Sequence, residues 1–145
     1  IEGRCVKQGI EVVRMWDPEA QQLHADPVQL KQVMVNLLVN AMQSMPDGGT
    51  LTVAIGSAAN ETTVEVRDTG IGMTDEVRGK IFDPFYTTRD VGEGTGLGLS
   101  VVHGIVAAHG GTIDVASLES EGTTFTFTLP RRPMSTAESQ PRIQN

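Results

Sequence analysis

Three amide side chains, Asn36, Asn40 and Gln43, follow one another at spacings of four and three residues inside a run with apolar periodicity. On a helix they share one face beside the apolar stripe. Two readings are open. One is a solvated polar face, the ordinary state of an outer helix surface. The other is a cation site, because an amide carbonyl is a hard oxygen ligand and Mg²⁺ commonly takes one or two protein oxygens together with phosphates and waters.

A second group is Asp68-Thr69-Gly70-Ile71-Gly72-Met73, directly after a β-rich segment. Glycines there let the backbone approach a flat ligand closely. The carboxylate can accept a hydrogen bond from an exocyclic amine such as that of adenine. The same residues also suit an Asx-type turn between two elements.

A third group, Gly92-Glu93-Gly94-Thr95-Gly96-Leu97-Gly98, runs into a helical pattern that starts at Leu99. Free amides and the helix dipole at such a junction favour an anion. A flexible linker is the other reading, though a linker seldom continues without a break into an amphipathic helix. Neither familiar phosphate loop is present. There is no Gly-x-x-x-x-Gly-Lys-Ser/Thr, and Phe82 to Arg89, not a strand, precedes the glycines. That preceding stretch, Phe82-Asp83-Pro84-Phe85-Tyr86-Thr87-Thr88-Arg89, clusters three aromatics in a chain with only 4% aromatic residues. It is either a small satellite core under a loop or the hinge of a lid that carries Arg89 towards phosphate charge.

Taken together these segments resemble the catalytic ATP-binding domain of sensor histidine kinases. Asn36-Leu37-Leu38-Val39-Asn40-Ala41 is similar to the asparagine box, Asp68 to Met73 to the first glycine box, and Phe82 to Arg89 to the phenylalanine box. Gly94 to Leu99 is similar to the second glycine box, and Gly122-Thr123-Thr124-Phe125-Thr126-Phe127-Thr128-Leu129-Pro130 to the closing strand. Each is weak alone, but they come in family order over about Ile10 to Pro130. The short lid and Ser100 to Val106 resemble the nitrogen-regulation-type branch.

The resemblance implies the Bergerat-type fold shared with gyrase, the related heat-shock chaperone and mismatch-repair ATPases. It implies ATP and Mg²⁺ as cofactors, with Asn40 as the metal ligand, Asn36 supporting it and Gln43 beside them at the nucleotide. Asp68 binds the adenine amine, helped by Gly70, Gly72 and Thr123, the last through water. Gly94, Thr95, Gly96, Leu97 and Gly98 line the phosphates, and Arg89 meets their charge.

Hydrolysing relatives carry a water-activating Glu where this chain has Asn36, and an amide cannot take a proton from water at neutral pH. The nucleophile implied instead is a histidine on the dimerisation domain of the same kinase, with a response regulator served indirectly. His24, His103 and His109 lack the family's acceptor motif and read as structural or surface histidines. The expected parent is a homodimer, and this segment alone a monomer. Three other readings are an ATP-driven conformational machine, a serine-directed anti-sigma-type kinase and a partner-binding pseudokinase scaffold. The missing Glu weighs against the first two, and the intact glycine boxes against the third.

The elements that must position these residues can be read from pattern. Ile10 to Trp16 is a strand, and Gln21 to Ala25 suits a short one. Asp26 caps a helix with Pro27 at its first position and Gln29 completing a box-like cap. Leu30, Val33, Met34, Leu37, Leu38, Ala41 and Met45 form its stripe, and Pro46-Asp47-Gly48-Gly49 ends it. Thr50 to Gly56 and Thr62 to Arg67 are strands joined at Ala58-Ala59-Asn60. Asp68 to Gly98 is loop around a short helix near Asp75 to Lys80, and a loop region that long is usually functional. Leu99 to His109 is a helix stopped by Gly110-Gly111, and Thr112 to Ser117 and Thr123 to Leu129 close as a hairpin. Strands in hairpins with helices between them predict an α+β two-layer α/β sandwich, its mixed, mostly antiparallel sheet covered by helices on one face.

The composition is compatible with this. The 145 residues suit a single core. Eleven Lys and Arg against 18 Asp and Glu leave a formal charge of −7, which argues against the basic face that nucleic acid or an anionic membrane needs. One cysteine, Cys5, allows no internal disulfide and fits a cytoplasmic compartment. No apolar run reaches membrane-spanning length, so the segment is not expected to insert, while an inner-membrane anchor elsewhere in the parent stays open. Ile1-Glu2-Gly3-Arg4 matches the recognition site of a tag-removing protease and is set aside as a cloning remnant. The domain is assigned to residues 5–130, and the Pro-, Ser- and Gln-rich residues 131–145 are expected to be a disordered tail.

Overall fold

The computed structural model describes residues 2–16, 26–58, 60–83 and 98–130. In chain order the elements are α1 (Glu2–Gln8), β1 (Ile10–Trp16), α2 (Pro27–Gln43), β2 (Gly49–Ala58), β3 (Glu61–Asp68), α3 (Asp75–Arg78), α4 (Gly98–Ala108), β4 (Thr112–Leu118) and β5 (Gly122–Pro130). The expected strand at Gln21 to Ala25 lies outside the described residues.

The described strands make one sheet in the order β1-β2-β3-β5-β4. β1 runs parallel to β2, and every other pair is antiparallel. The period of two sorts the faces. Cross-strand neighbours Val53↔Val66, Val66↔Phe125 and Val115↔Phe125 point into the core. The other face carries Thr52↔Arg67, Glu65↔Thr126 and Thr112↔Thr128, polar side chains that tolerate water. Helices α2 and α4 cover the apolar face with Val33, Leu37, Ala41, Met42, Val102 and Val106, all buried. The architecture is the two-layer α+β sandwich that the element order predicts.

Helix α2 starts where its cap says it should. Asp26 Oδ1 accepts from the backbone N–H of Val28 (2.9 Å) and of Gln29 (3.3 Å), and Pro27 follows as the first helical residue. The return half of the expected cap differs. The Asp26 N–H donates to His109 Nε2 at 3.1 Å, not to Gln29. His109 Nδ1 lies 2.8 Å from the Ile105 carbonyl, which can only accept, so Nδ1 carries the proton and Nε2 is left as the acceptor. His109 thus joins the end of α4 to the start of α2, a structural role as expected. His103 packs against Phe82, ring centroids 5.3 Å apart, and His24 lies outside the described residues.

The sequence reading named no element before Ile10, where the structure places a helix. Glu2, Gly3 and Arg4, set aside there, form the first turn of α1. Cys5 on the same helix is fully buried. Gln8 Nε2 donates to the carbonyls of Met42 (3.2 Å) and Met45 (3.4 Å), so α1 adds a second donor to carbonyls that already close the turns at the C-terminal end of α2. The chain turns at Gly9, whose φ is +78°, and enters β1.

Candidate nucleotide site

The buried face of the sheet ends in a polar row. The register pairs Leu51 with Asp68, Asp68 with Thr123, and Thr123 with Ser117. Along β3 the inward residues are Thr62, Val64, Val66 and then Asp68. Along β5 they are Leu129, Phe127, Phe125 and then Thr123. The alternation that drives valine and phenylalanine inward therefore also drives a carboxylate inward, to 3% exposure, with Thr123 at 4% beside it. An aspartate is almost never buried so deeply without partners.

Asp68 has some partners, and they do not offset its burial. Its Oδ1 accepts from the Gly70 N–H at 2.9 Å. Desolvation is the dominant effect and pushes its carboxyl above the ordinary value of 3.8, while the Gly70 N–H, the Ser44 hydroxyl and the Thr123 N–H pull it back. The Ser44 hydroxyl has one proton to share between this carboxylate and the Ala41 carbonyl, 2.8 Å away. A carboxylate offers about four lone-pair directions, so acceptor capacity remains for a ligand donor.

The chain after Asp68 is held by close backbone contacts. A Cβ on Gly70 would lie 2.2 Å from the Ser44 carbonyl oxygen, and one on Gly72, whose φ is +70°, would lie 2.0 Å from that of Leu118. Only glycine fits at either position. The Ile71 N–H donates to Ser44 O at 3.0 Å, and Ile71 O accepts from Ser120 at 2.7 Å. The first glycine segment is thus laced to the end of α2 on one side and to the β4–β5 turn on the other.

On α2, Asn36 and Asn40 are half-buried and Gln43 is exposed. Asn36 Nδ2 donates to the Gly98 carbonyl at 3.0 Å, and its Oδ1 accepts from Gln32 Nε2 at 2.8 Å. Because Gly98 offers a carbonyl, the amide orientation is chemically fixed. Asn36 therefore staples α2 to the first residue of α4, where the second glycine segment ends. Asn40, one turn further, is also engaged in an interaction. Asn40 and Gln43 carry amide oxygens of the hard kind that Mg²⁺ takes, whereas the Asn36 oxygen is already occupied by Gln32.

Arg89, Gly94, Thr95, Gly96 and Leu97 lie outside the described residues, as does Phe82's neighbourhood from Pro84 onwards. Phe82 itself joins the main core, its ring 6.2 Å from that of Phe125, so this end of the aromatic segment is not a separate satellite cluster. One site residue escaped the sequence reading. Ser117 Oγ takes the Met73 N–H at 2.8 Å, lies 2.9 Å from Gly122 O and 2.8 Å from Thr123 Oγ1. The signal was available, since Ile113, Val115 and Ser117 alternate onto the same face of β4.

Comparison with known proteins agrees with this geometry. The profile of the histidine kinase-, DNA gyrase B- and HSP90-like ATPases matches residues 25–133. The sensor histidine kinase ZraS of Escherichia coli K12 is 45% identical over 109 residues, which are 75% of this chain and 23% of ZraS. The chain spans less than a quarter of the length of such relatives. Among solved structures, the catalytic domain of histidine kinase ThkA superposes with a TM-score of 0.80 at 33% identity, over 91% of this chain and 86% of that domain. Full-length ShkA in complex with AMPPNP gives 0.78 at 29% identity, over 88% of this chain and 27% of ShkA. The chain belongs to the histidine kinase-, DNA gyrase B- and HSP90-like ATPase family, as the catalytic ATP-binding domain of a histidine kinase.

Proposed function

We propose that this domain binds Mg-ATP and donates the γ-phosphate to a histidine on the separate dimerisation domain of a two-component sensor kinase. The observation that carries the reading is the buried carboxylate of Asp68 at the end of an apolar sheet face, desolvated yet with acceptor capacity to spare. Such a group is costly unless a ligand donor meets it, and the exocyclic amine of adenine is a donor of the right kind. The crystal of a relative with AMPPNP supports an ATP-like ligand for this fold.

In this reading Asp68 accepts from the adenine amine, Gly70 and Gly72 let the backbone lie against the base, and Thr123 assists through water. Asn40 holds Mg²⁺, with Gln43 on the same face. When bound, the cation neutralises phosphate charge and fixes the phosphate oxygens. Gly94, Thr95, Gly96, Leu97 and Gly98 face the phosphates, and Arg89 meets their charge. Asn36 aligns the start of α4 through Gly98 and offers no base. The remaining work is positioning and charge neutralisation, and phosphoryl transfer needs little else from the protein. The acceptor is the dimerisation domain of the same homodimeric kinase, and a response regulator receives the phosphate afterwards.

Calorimetric titration tests the binding half. ATP and ADP should bind in the presence of Mg²⁺, and GTP more weakly. No heat at millimolar nucleotide contradicts the reading, and equal affinity for adenine and guanine nucleotides contradicts the role of Asp68.

A further inference from the structure

The hydrogen-bond geometry around Ser117 fixes the direction of a proton. The Gly122 carbonyl can only accept, so at 2.9 Å it takes the Ser117 hydroxyl proton. The Met73 N–H can only donate, so at 2.8 Å it occupies one lone pair of Ser117 Oγ. The remaining contact, 2.8 Å to Thr123 Oγ1, must then run the other way. Thr123 donates its only hydroxyl proton to Ser117, and its oxygen is left with lone pairs alone.

This matters because Thr123 is the register partner of Asp68, on the same buried row. Asp68, when ionised, is an acceptor without a proton. With Thr123 held as an acceptor too, this end of the sheet presents two acceptors, the single Ser44 hydroxyl proton being already shared between Asp68 and the Ala41 carbonyl. A 6-aminopurine, with two N–H donors on its exocyclic nitrogen, complements such an arrangement directly, or through one water whose two protons go to Asp68 and Thr123 and which can then only accept from the ligand. A 6-oxopurine offers an oxygen there and meets like with like. An acceptor facing an acceptor is left unsatisfied, and unsatisfied buried groups are what discriminates between ligands of one shape.

We infer that Ser117 is a positioning residue for base selectivity: it holds the Thr123 hydroxyl as an acceptor, so that the site takes 6-amino and rejects 6-oxo purine nucleotides. Ser117 touches no nucleotide in this account. It acts through Thr123 and through the Met73 N–H, which ties the glycine segment to β4. The inference rests on the adenine-nucleotide reading above. In a Ser117→Ala variant the Thr123 hydroxyl rotates freely and can donate to a 6-oxo group.

The test is calorimetric titration of ATP and inosine triphosphate into the wild-type domain and the Ser117→Ala and Ser117→Thr variants. The wild type should prefer ATP, and Ser117→Ala should reduce the ATP-to-ITP affinity ratio by about tenfold, the scale of one hydrogen bond exchanged for a mismatch. Ser117→Thr, which keeps the hydroxyl, should restore the wild-type ratio. Should alanine unfold the hairpin, Ser117→Cys keeps the volume while offering only a weak acceptor, and should lower the ratio likewise. An equal loss of affinity for both nucleotides, with the ratio unchanged, overturns the inference and leaves Ser117 a purely structural residue. Absence of ATP binding by the wild type would instead overturn the nucleotide reading itself, so the two failures are distinguishable.

Discussion

Asp68 and Thr123 are direct cross-strand partners on the buried face of the sheet, at 3% and 4% exposure, where the strand period would otherwise place apolar side chains. The pairing concentrates a desolvated carboxylate and a hydroxyl at one end of an otherwise apolar core. Stability alone does not favour such an arrangement, and a ligand accounts for it.

Replacing Asp68 tests that statement in two ways. Burial raises its carboxyl above the ordinary 3.8 in the folded state, so the folded domain holds the proton more tightly than the unfolded chain. Stability from this group is then fully present below that ordinary value and is lost as pH rises through the folded-state value. Asp68→Asn removes this dependence. The ligand-free variant should therefore gain stability relative to wild type as pH rises from about 4 towards neutrality, while its ATP affinity falls by about 1–3 kcal/mol. Thermal unfolding across pH, paired with titration, measures both. A variant whose relative stability drops with rising pH would contradict the assignment.

Asn40→Ala should separate binding from transfer. Of the ligand, the proposed role of Asn40 touches only Mg²⁺, so nucleotide should still bind through the adenine end. Phosphotransfer in the full-length kinase should fall by two orders of magnitude or more, the scale on which lost charge stabilisation acts. Transfer rates equal to wild type would be incompatible with the metal role.

Gly72→Ala should damage the site through the backbone. Its φ of +70° and the 2.0 Å approach to the Leu118 oxygen leave no space for a methyl group. The β4–β5 turn must shift, at a cost of about 1–3 kcal/mol in stability, and ATP affinity should fall with it. Gly56→Ala is the control, because a Cβ there meets nothing within 4 Å. Similar unfolding midpoints for the two variants would show that the glycine segment is less constrained than its contacts indicate.

Thr62→Val probes the opposite end of the same strand. Thr62 is fully buried, and its Oγ1 has no hydrogen-bond partner among the described residues. Valine keeps the shape and removes the unmet hydroxyl, so unfolding should require about 1 kcal/mol more. Nucleotide binding should stay unchanged. A destabilised variant would reveal a partner for that hydroxyl.

Much of this was legible in the sequence, for identifiable reasons. Asp26-Pro27 and the stripe from Leu30 to Met45 announce α2, because cap and periodicity agree and both are local. β-branched alternation announces β3 and β5, and the ordered motifs announce the family. What escaped depends on distant partners. His109 completes the α2 cap from 83 residues away, where Gln29 was the local candidate. No element was named before Ile10, because the few residues after Arg4 are too short a run to show a period, yet the helix there buries Cys5 and brings Gln8 to the end of α2. Ser117 was missed because a serine in a strand is unremarkable until register puts it beside Thr123.

The most direct test of phosphoryl donation uses radiolabelled ATP with this domain alone, and then with the separate dimerisation domain of its parent kinase. The domain alone should neither label itself nor release phosphate quickly. Its histidines lack an acceptor motif, and with the role proposed for Asn36 the site has no general base, a contribution of about 10²–10⁴-fold, to activate water. With the dimerisation domain supplied at concentrations that compensate for the lost tether, label should appear on that domain's histidine. Stable label on His24, His103 or His109 of the lone domain, rapid phosphate release, or no label on the added domain would contradict the account.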